Sequence, residues 1–374
     1  MRTRLVNFAM FFMMSLLLVS CAKKEPEKIR IAAVAPITGA QGEVGQDLIN
    51  GIKMAVDEVN TTGGLLGKQI ELVVMDDKAD PKEAVSVANK IVADPTIVGL
   101  VGHMNSGTTL AASPVYSQAG IPMVMPVPTN PAITKQGFGN LFRVPATDSD
   151  QGPAGAEFAV TKLGKKRIAV IQDKTAYGQG IAEEFRKKAT ELGANILSYD
   201  GITEGDKDFR GVLTRIKGKK PEVLFFGGIY NEGGLIIKQA RELGIDAVFL
   251  AADGCFGSKF IEIAGKSSEG SIMSFIAPDK ASNQTTREFF DKFAAKYGKV
   301  VSFAPLGYDA AHVLIKAIQT AGVTEKQKII STLHSENFSS PGVTGTISFS
   351  QNGDNNNKNL YFYTVKNGTF ILYQ

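Results

Sequence analysis

Residues 97–131, IVGLVGHMNSGTTLAASPVYSQAGIPMVMPVPTNP, decide the fold. Ile97–Val101 is apolar throughout and predicts a strand buried on both faces. Gly102 breaks it, and the chain passes through His103, Met104 and Asn105 into the hydroxyl-rich Ser106-Gly107-Thr108-Thr109. A helical pattern follows, with Leu110, Ala111, Pro114, Val115 and Ala119 expected on one side and Gly120 as its stop. Residues 122–125 form a second short apolar run that ends in Pro126-Val127-Pro128-Thr129. Two strands thus end close together, one in a hydroxyl-rich helix start, the other in a proline-stiffened threonine loop. Free backbone N–H groups and the positive end of the helix dipole make such a start an anion site. In open α/β sheets, ligands settle at the carboxyl ends of strands like these. An ordinary helix cap, with Ser106 or Thr108 doing local work only, fits the same residues.

The same alternation extends in both directions. Upstream, Ile29–Ala35 predicts a strand, and Leu48, Ile52, Ala55, Val56 and Val59 mark a helix that Gly63-Gly64 ends. Residues 70–75 read as a strand, and Asp80-Pro81 caps a helix lined by Ala84, Val87, Ala88, Ile91 and Val92. Downstream, a second series begins after LFRVPATDSDQGPAG, where Asp148 to Asp150 are placed to cap a helix over residues 151–163. Strands follow at Arg167–Gln172 and at 195–199, 223–226 and 247–251. Helices are expected after DKTAYGQG and over 209–217 and 232–243. The pattern is that of an α/β chain with parallel sheets covered on both faces, in two lobes of similar plan. Two longer helical patterns, 285–297 and 305–321, and a shorter one at 325–333 come next. The tail changes character, with strands at 346–349 and 360–365 and the turn Asn367-Gly368 before 370–373. It returns to one of the lobes, and periodicity leaves open which. The polar run 353–359 reads as a solvated loop.

At 374 residues the chain has the length of about two domains. Residues 1–20 read as an address, because Arg2 and Arg4 precede an apolar run over 8–19 that is too short to span a membrane. Leu18-Val19-Ser20-Cys21 resembles the lipobox of bacterial lipoproteins, which makes Cys21 the expected lipidation site. Residues 21–28 then form a short polar tether. Without Arg2 and Arg4 the 41 lysines and arginines become 39, against 37 acidic residues. So even a balance, with no basic stripe, argues against a nucleic-acid partner. Cys255 is the one remaining cysteine, so no internal disulfide forms and the core must stabilise an exported chain.

DDKADPKEAVSVANKIV, VGHMNSGTT, ATDSDQGP, DKTAYGQG and DGITEGDKDF, in this order and spacing, make the chain similar to the leucine/isoleucine/valine-binding proteins. These are solute receptors of ABC importers with the type I periplasmic-binding-protein fold. The resemblance covers the chain from Ile29 to its end. It implies two Rossmann-like lobes joined by three crossovers, near Thr147, Ala277 and Gln351, with ligand in the cleft between them. Lobe 1 would comprise 29–147 and 278–350, and lobe 2 would comprise 148–277 and 351–374, including the last hairpin. Residue by residue, Ser106 matches the serine that holds the ligand carboxylate, Val127 a carbonyl that takes the ammonium, and Thr129 a threonine that contacts both. Tyr177 matches a cleft tyrosine, and Asp253 stands where a glutamate pairs with the ammonium. Ile229 replaces a second-lobe tyrosine, and Val44 an aromatic of the side-chain pocket. Ala79 and Asn105 stand where some members carry a disulfide.

Physical chemistry supports this placement independently, since a zwitterion needs a site of each sign. Ser106, Thr129 and the helix start offer the positive site and Asp253 the negative one, although Asp253 could equally cap a helix or face solvent. The expected protein is a lipid-anchored extracytoplasmic receptor, monomeric, that passes a branched-chain or other aliphatic amino acid to ABC permease subunits. The alternatives are an amide, urea or aromatic-acid receptor of the same fold, or a ligand-sensing lipoprotein. No enzyme, cofactor or metal site is expected. Gly39, Gly42 and Gly45 give GxxGxxG rather than a dinucleotide fingerprint, and GGLLGKQ lacks the P-loop spacing. A His103–Cys255 pair is the catalytic arrangement considered, against His103 packing or bonding to backbone at its strand end.

Overall fold

The computed structural model describes residues 28–373. The expected leader, Cys21 and the tether up to residue 27 lie outside the described residues.

The first lobe opens with β1 (Ile29–Ala35), α1 (Gly42–Thr61), β2 (Ile70–Asp76), α2 (Pro81–Ala93) and β3 (Ile97–Val101). It continues through α3 (Ser106–Gln118), β4 (Met123–Met125), α4 (Ala132–Lys135) and β5 (Leu141–Arg143). All five strands are parallel, in the order β2-β1-β3-β4-β5. Leu48, Ile52, Ala55 and Val56 are buried on α1. Asp80 caps α2 as expected, accepting from Lys82 N and Glu83 N at 2.7 and 3.0 Å.

The second lobe begins with α5 (Asp148–Glu157), which runs on through a π-helical turn, Phe158–Lys162. Then come β6 (Arg167–Gln172), α6 (Ala176–Glu191), β7 (Asn195–Gly201), α7 (Arg210–Gly218) and β8 (Val223–Gly227). α8 (Tyr230–Glu242), β9 (Val248–Ala251), α9 (Ser258–Ala264) and β10 (Ile272–Phe275) follow. The chain then returns to the first lobe with α10 (Gln284–Tyr297), α11 (Ala304–Ala321) and α12 (Lys326–Leu333), α11 packing along α1 and against β3. A small hairpin, β11 (Ser340–Gly342) with β12 (Gly345–Ile347), precedes β13 (Tyr361–Lys366) and β14 (Thr369–Leu372). The tail joins the second lobe, as the resemblance implies and periodicity leaves open, because β13 pairs antiparallel with β10. The second sheet runs β14-β13-β10-β9-β8-β6-β7, and its turn holds Asn367 and Gly368 at φ 54° and 68°, as an Asn-Gly hairpin requires.

Four sequence expectations need correction. On α3 the buried side is Thr108, Thr109, Ala112, Ser113 and Tyr116, while Leu110, Ala111 and Val115 are half-buried and Pro114 is exposed. The hydroxyls of Thr108 and Thr109 both return to Asn105 O, at 2.9 and 2.8 Å, so they bury without penalty and hydropathy does not mark the face. α5 begins a turn before residue 151, with Thr147 as N-cap and Asp150 accepting from its N–H (2.9 Å) and hydroxyl (2.6 Å). Short strands β5 and β10 have too few residues for a periodicity to show. The polar run 353–359 is in part a strap rather than a solvated loop. Gly353 O accepts from Arg143 N (2.8 Å), Asp354 pairs with the buried Arg143 (2.8 Å), and Asn355 Nδ2 donates to Val144 O (2.6 Å).

Candidate ligand-binding site

The carboxyl ends of β3 and β4 face those of β6, β8 and β9 across a cavity of about 450 Å3, within the usual range for small-molecule sites. Ser106, Val127 and Thr129 line it from the first lobe, and Tyr177, Ile229 and Asp253 from the second. Val44, Ala79 and Asn105 line it as well. The six candidate residues, spread over 148 positions of sequence, are thus brought to one place.

The helix start is not an ordinary cap. Asn105 occupies the N-cap position of α3, yet its side chain makes no capping bond and donates instead to Gln41 Oε1 at 2.8 Å. Ser106, Gly107 and Thr108, the first three helical residues, all line the cavity and present the N–H end of the helix to it. The Ser106 hydroxyl is in reach of one protein donor, Asn130 N, at 3.4 Å. Thr129 is 1% exposed, and its hydroxyl stands beside the buried Asp148 carboxyl.

Arg143 holds the threonine loop in position. It is fully buried and donates to Pro128 O (2.6 Å), Asn130 O (3.0 Å) and Thr134 Oγ1 (3.3 Å), with its Nε–H on Asp354. Behind the helix start, His103 is clamped by Asp77 Oδ2 (2.6 Å) and Tyr116 OH (3.1 Å), all three groups being buried. Cys255 Sγ lies 3.6 Å from Gly228 O, and burial pushes its thiol up. The His103–Cys255 pairing is therefore not formed. His103 is held at its strand end by a carboxylate and a phenol rather than by the expected backbone group.

Asp253 stands in a short 3₁₀ turn just past β9 and is 2% exposed, neither capping a long helix nor facing solvent. Its Oδ1 accepts from Gln151 Nε2 (2.7 Å) and from Tyr177 OH (2.9 Å), and Tyr177 OH accepts from Gly254 N (2.9 Å). Gln151 is fixed in turn by Ser274 Oγ at 2.8 Å. Burial pushes Asp253 up to about 6 in spite of those two donors. Nearby Asp148, with neither oxygen hydrogen-bonded, is pushed up to about 8 by burial, against the Thr129 hydroxyl beside it.

Sequence reasoning missed Arg143, Gln151 and Gln41. The only available signal for Arg143 was a charge set within an apolar strand, LFRV. Gln151 and Gln41 carry no pattern of their own, since their roles exist only once distant segments meet.

A cleft between two α/β lobes, with an uncapped helix start on one wall and a buried carboxylate on the other, is the arrangement of a solute-binding protein. Residues 28–369 match the family model described as periplasmic binding protein, and the chain belongs to that family, in its Leu/Ile/Val-binding branch with the type I fold. It is 34% identical over 349 residues to the leucine-, isoleucine-, valine-, threonine- and alanine-binding protein of Pseudomonas aeruginosa, covering 93% of this chain and 90% of that one. The leucine-binding protein LivK of Thermotoga maritima superposes with a TM-score of 0.86 at 33% identity, covering 92% and 98% of the two chains. The branched-chain amino acid transporter substrate-binding protein LivJ of Streptococcus pneumoniae, in complex with isoleucine, gives 0.86 at 31% identity, covering 92% and 97%. The family is one of exported receptors, and among the described residues no helix is long and apolar enough to cross a membrane.

Proposed function

We propose that this chain captures a free amino acid with an aliphatic body, such as leucine, isoleucine or valine, and delivers it to the permease subunits of an ABC importer. The observation that carries the reading is the pair of opposite ends in one cleft. The N–H end of α3 with Ser106 and Thr129 suits an α-carboxylate, and Asp253 suits an α-ammonium. Val127, Ile229 and Val44 supply apolar surface for the side chain. The Pseudomonas relative is named for five small amino acids and the Streptococcus neighbour holds isoleucine, which supports the same class of ligand. In this reading the lobes hinge near Thr147, Ala277 and Gln351, and the receptor acts as a monomer tethered through lipid on Cys21.

Titration calorimetry with leucine, isoleucine and valine tests the ligand. At about 100 times its dissociation constant, a true ligand raises stability by roughly 2.7 kcal/mol. If none of the three releases heat or raises the melting midpoint, the reading is wrong. Attachment is tested by fractionation, where Cys21→Ala is expected to move the protein from the membrane to the soluble fraction. Equal retention of the variant at the membrane rejects the anchor.

A further inference from the structure

Asp148 is buried where the two lobes meet, and it does not line the cavity. It is the first residue of α5, directly after the Thr147 N-cap, and none of its surface reaches solvent. Its backbone N–H donates to Thr129 O at 2.9 Å, and the Thr129 hydroxyl stands beside its carboxyl. On the other side lies Gly180 of α6, where a Cβ would come 3.1 Å from Asp148 Oδ2. The carboxyl is thus packed between the threonine loop of one lobe and a helix of the other, with neither oxygen hydrogen-bonded.

The charged and titratable groups around it give little support to a charge. Asp253, in the turn after β9, and Glu184, on α6, repel one, while Arg143 attracts one but is itself paired with Asp354. Tyr177, also on α6, faces both carboxyls, but its hydroxyl is engaged with Asp253 and Gly254. On its own helix, Asp150 is occupied by Thr147 and Lys358. A buried carboxyl without donors keeps its proton, because an unpaired charge there costs far more than a neutral acid. Burial accordingly pushes Asp148 up to about 8, against about 6 for Asp253. At neutral pH the empty cleft then has one neutral and one charged carboxyl beside it.

We infer that capture of an amino acid expels a proton from Asp148, so that affinity is set partly by a carboxyl the ligand does not touch. The inference rests on the amino-acid reading above and adds proton release to it. The ligand ammonium, seated against Asp253 and Thr129, brings a positive charge close to Asp148 and favours its charged form. Asp148 has no hydration left to lose, so closing the cleft adds this attraction without a further burial cost. The O–H bond of the carboxyl breaks, the proton passes to the buffer, and the ammonium balances the charge left behind. Once ionised, Asp148 can accept from the Thr129 hydroxyl, which leaves the lone pairs of that oxygen to the ammonium.

Titration calorimetry of the full mature chain with leucine, in phosphate, HEPES and Tris at pH 7.5, counts the protons released, because the observed heat varies with the ionisation enthalpy of the buffer. Wild type is expected to release about half a proton or more per leucine. Its affinity should rise about fourfold from pH 6.5 to 8. In Asp148→Asn the release should fall below about 0.2 proton, and affinity should change less than about twofold over the same range. If that variant is unstable, the wild-type profile decides alone. A release centred between pH 7 and 8 supports the inference, and one centred near pH 6 belongs to Asp253 and overturns it. Leucine binding with no proton released at pH 7.5, or with a release that persists in Asp148→Asn, overturns it too and leaves the amino-acid reading intact. If leucine, isoleucine and valine all fail to bind, the amino-acid reading itself fails, and the inference falls with it.

Discussion

Asp253 is held by Gln151 and Tyr177 through a single oxygen, so its charge is available to a ligand without freedom to wander. Stranding one member of a buried charged pair typically costs about 2–5 kcal/mol. Asp253→Asn is therefore expected to weaken binding of the best amino acid at least about 30-fold, or roughly 2 kcal/mol. The corresponding 2-oxo acid, which lacks the ammonium, should bind poorly to both proteins. An amino acid bound within threefold of wild type would exclude the ammonium role. The same carboxyl predicts a pH dependence. Its folded value of about 6 lies above an unfolded value of about 3.9, so the folded state keeps a proton that the unfolded chain has lost. Unliganded stability should then fall as pH rises from about 4 to 6, with Asp148 extending the fall to about 8. An ammonium favours the charged carboxylate, so affinity should rise through that first window, by about tenfold from pH 5 to 7.5. Calorimetry across that range measures it, and a flat profile counts against a buried titrating partner. Arg143 has a structural task instead, and removing one side of a buried ion pair costs about 3–5 kcal/mol. Arg143→Met should lose at least about 3 kcal/mol in urea unfolding, and a loss under about 1 kcal/mol would mean the threonine loop is held by other contacts.

Two elements owe their placement to backbone contact rather than to side-chain fit. On the proposed reading the start of α3 holds the ligand carboxylate through its N–H groups, so Ser106→Ala should weaken binding less than Asp253→Asn does. Along α1 and α11, a Cβ at Gly51 would lie 2.1 Å from Ala304 O, and one at Gly307 would lie 2.4 Å from Leu48 O. These glycines let the two helices touch through their backbones. Gly51→Ala gains up to about 1 kcal/mol of helix propensity but must push the helices apart, and overpacking typically costs about 1–3 kcal/mol. The clash is with a carbonyl that cannot rotate away, so a net loss of at least about 1 kcal/mol is expected in denaturant unfolding. A stabilised variant would show that the pair separates freely.

The lobes touch through Tyr230 OH on Ala40 O at 3.1 Å, Lys259 with Glu43 at 2.7 Å and Gln41 with Glu204, and also through Asn130 Nδ2 on Ala176 O and Ser302 Oγ on Phe256 O. The Lys259–Glu43 pair is partly exposed and worth at most about 1 kcal/mol, so such contacts do not lock the lobes together without a ligand. Hinge closure around an amino acid should therefore reduce the radius of gyration in small-angle scattering. Tyr230→Phe should weaken ligand binding modestly while leaving the fold intact. A radius unchanged by saturating leucine would argue against a closing cleft.

Much of this protein was legible in its sequence. The alternation of strands and helices, the Asp80 cap, the Asn367-Gly368 turn and the two-lobed α/β plan follow from local patterns, because hydrophobic period and turn chemistry act over a few residues. The candidate residues could be named singly, most of them through the family resemblance, and the structure places all six around one cavity. What only the tertiary structure decided is where partners lie far apart in the chain. Arg143 meets Asp354, Gln151 meets Asp253, and Gln41 meets Asn105 and Glu204. The polar run at 353–359 became a strap because Arg143 and Val144 meet it from far along the chain, whereas the hydroxyls that α3 buries are satisfied locally by Asn105 O. Whether a polar side chain can be buried depends on the donor or acceptor waiting for it, and in this fold many of those partners arrive from distant segments.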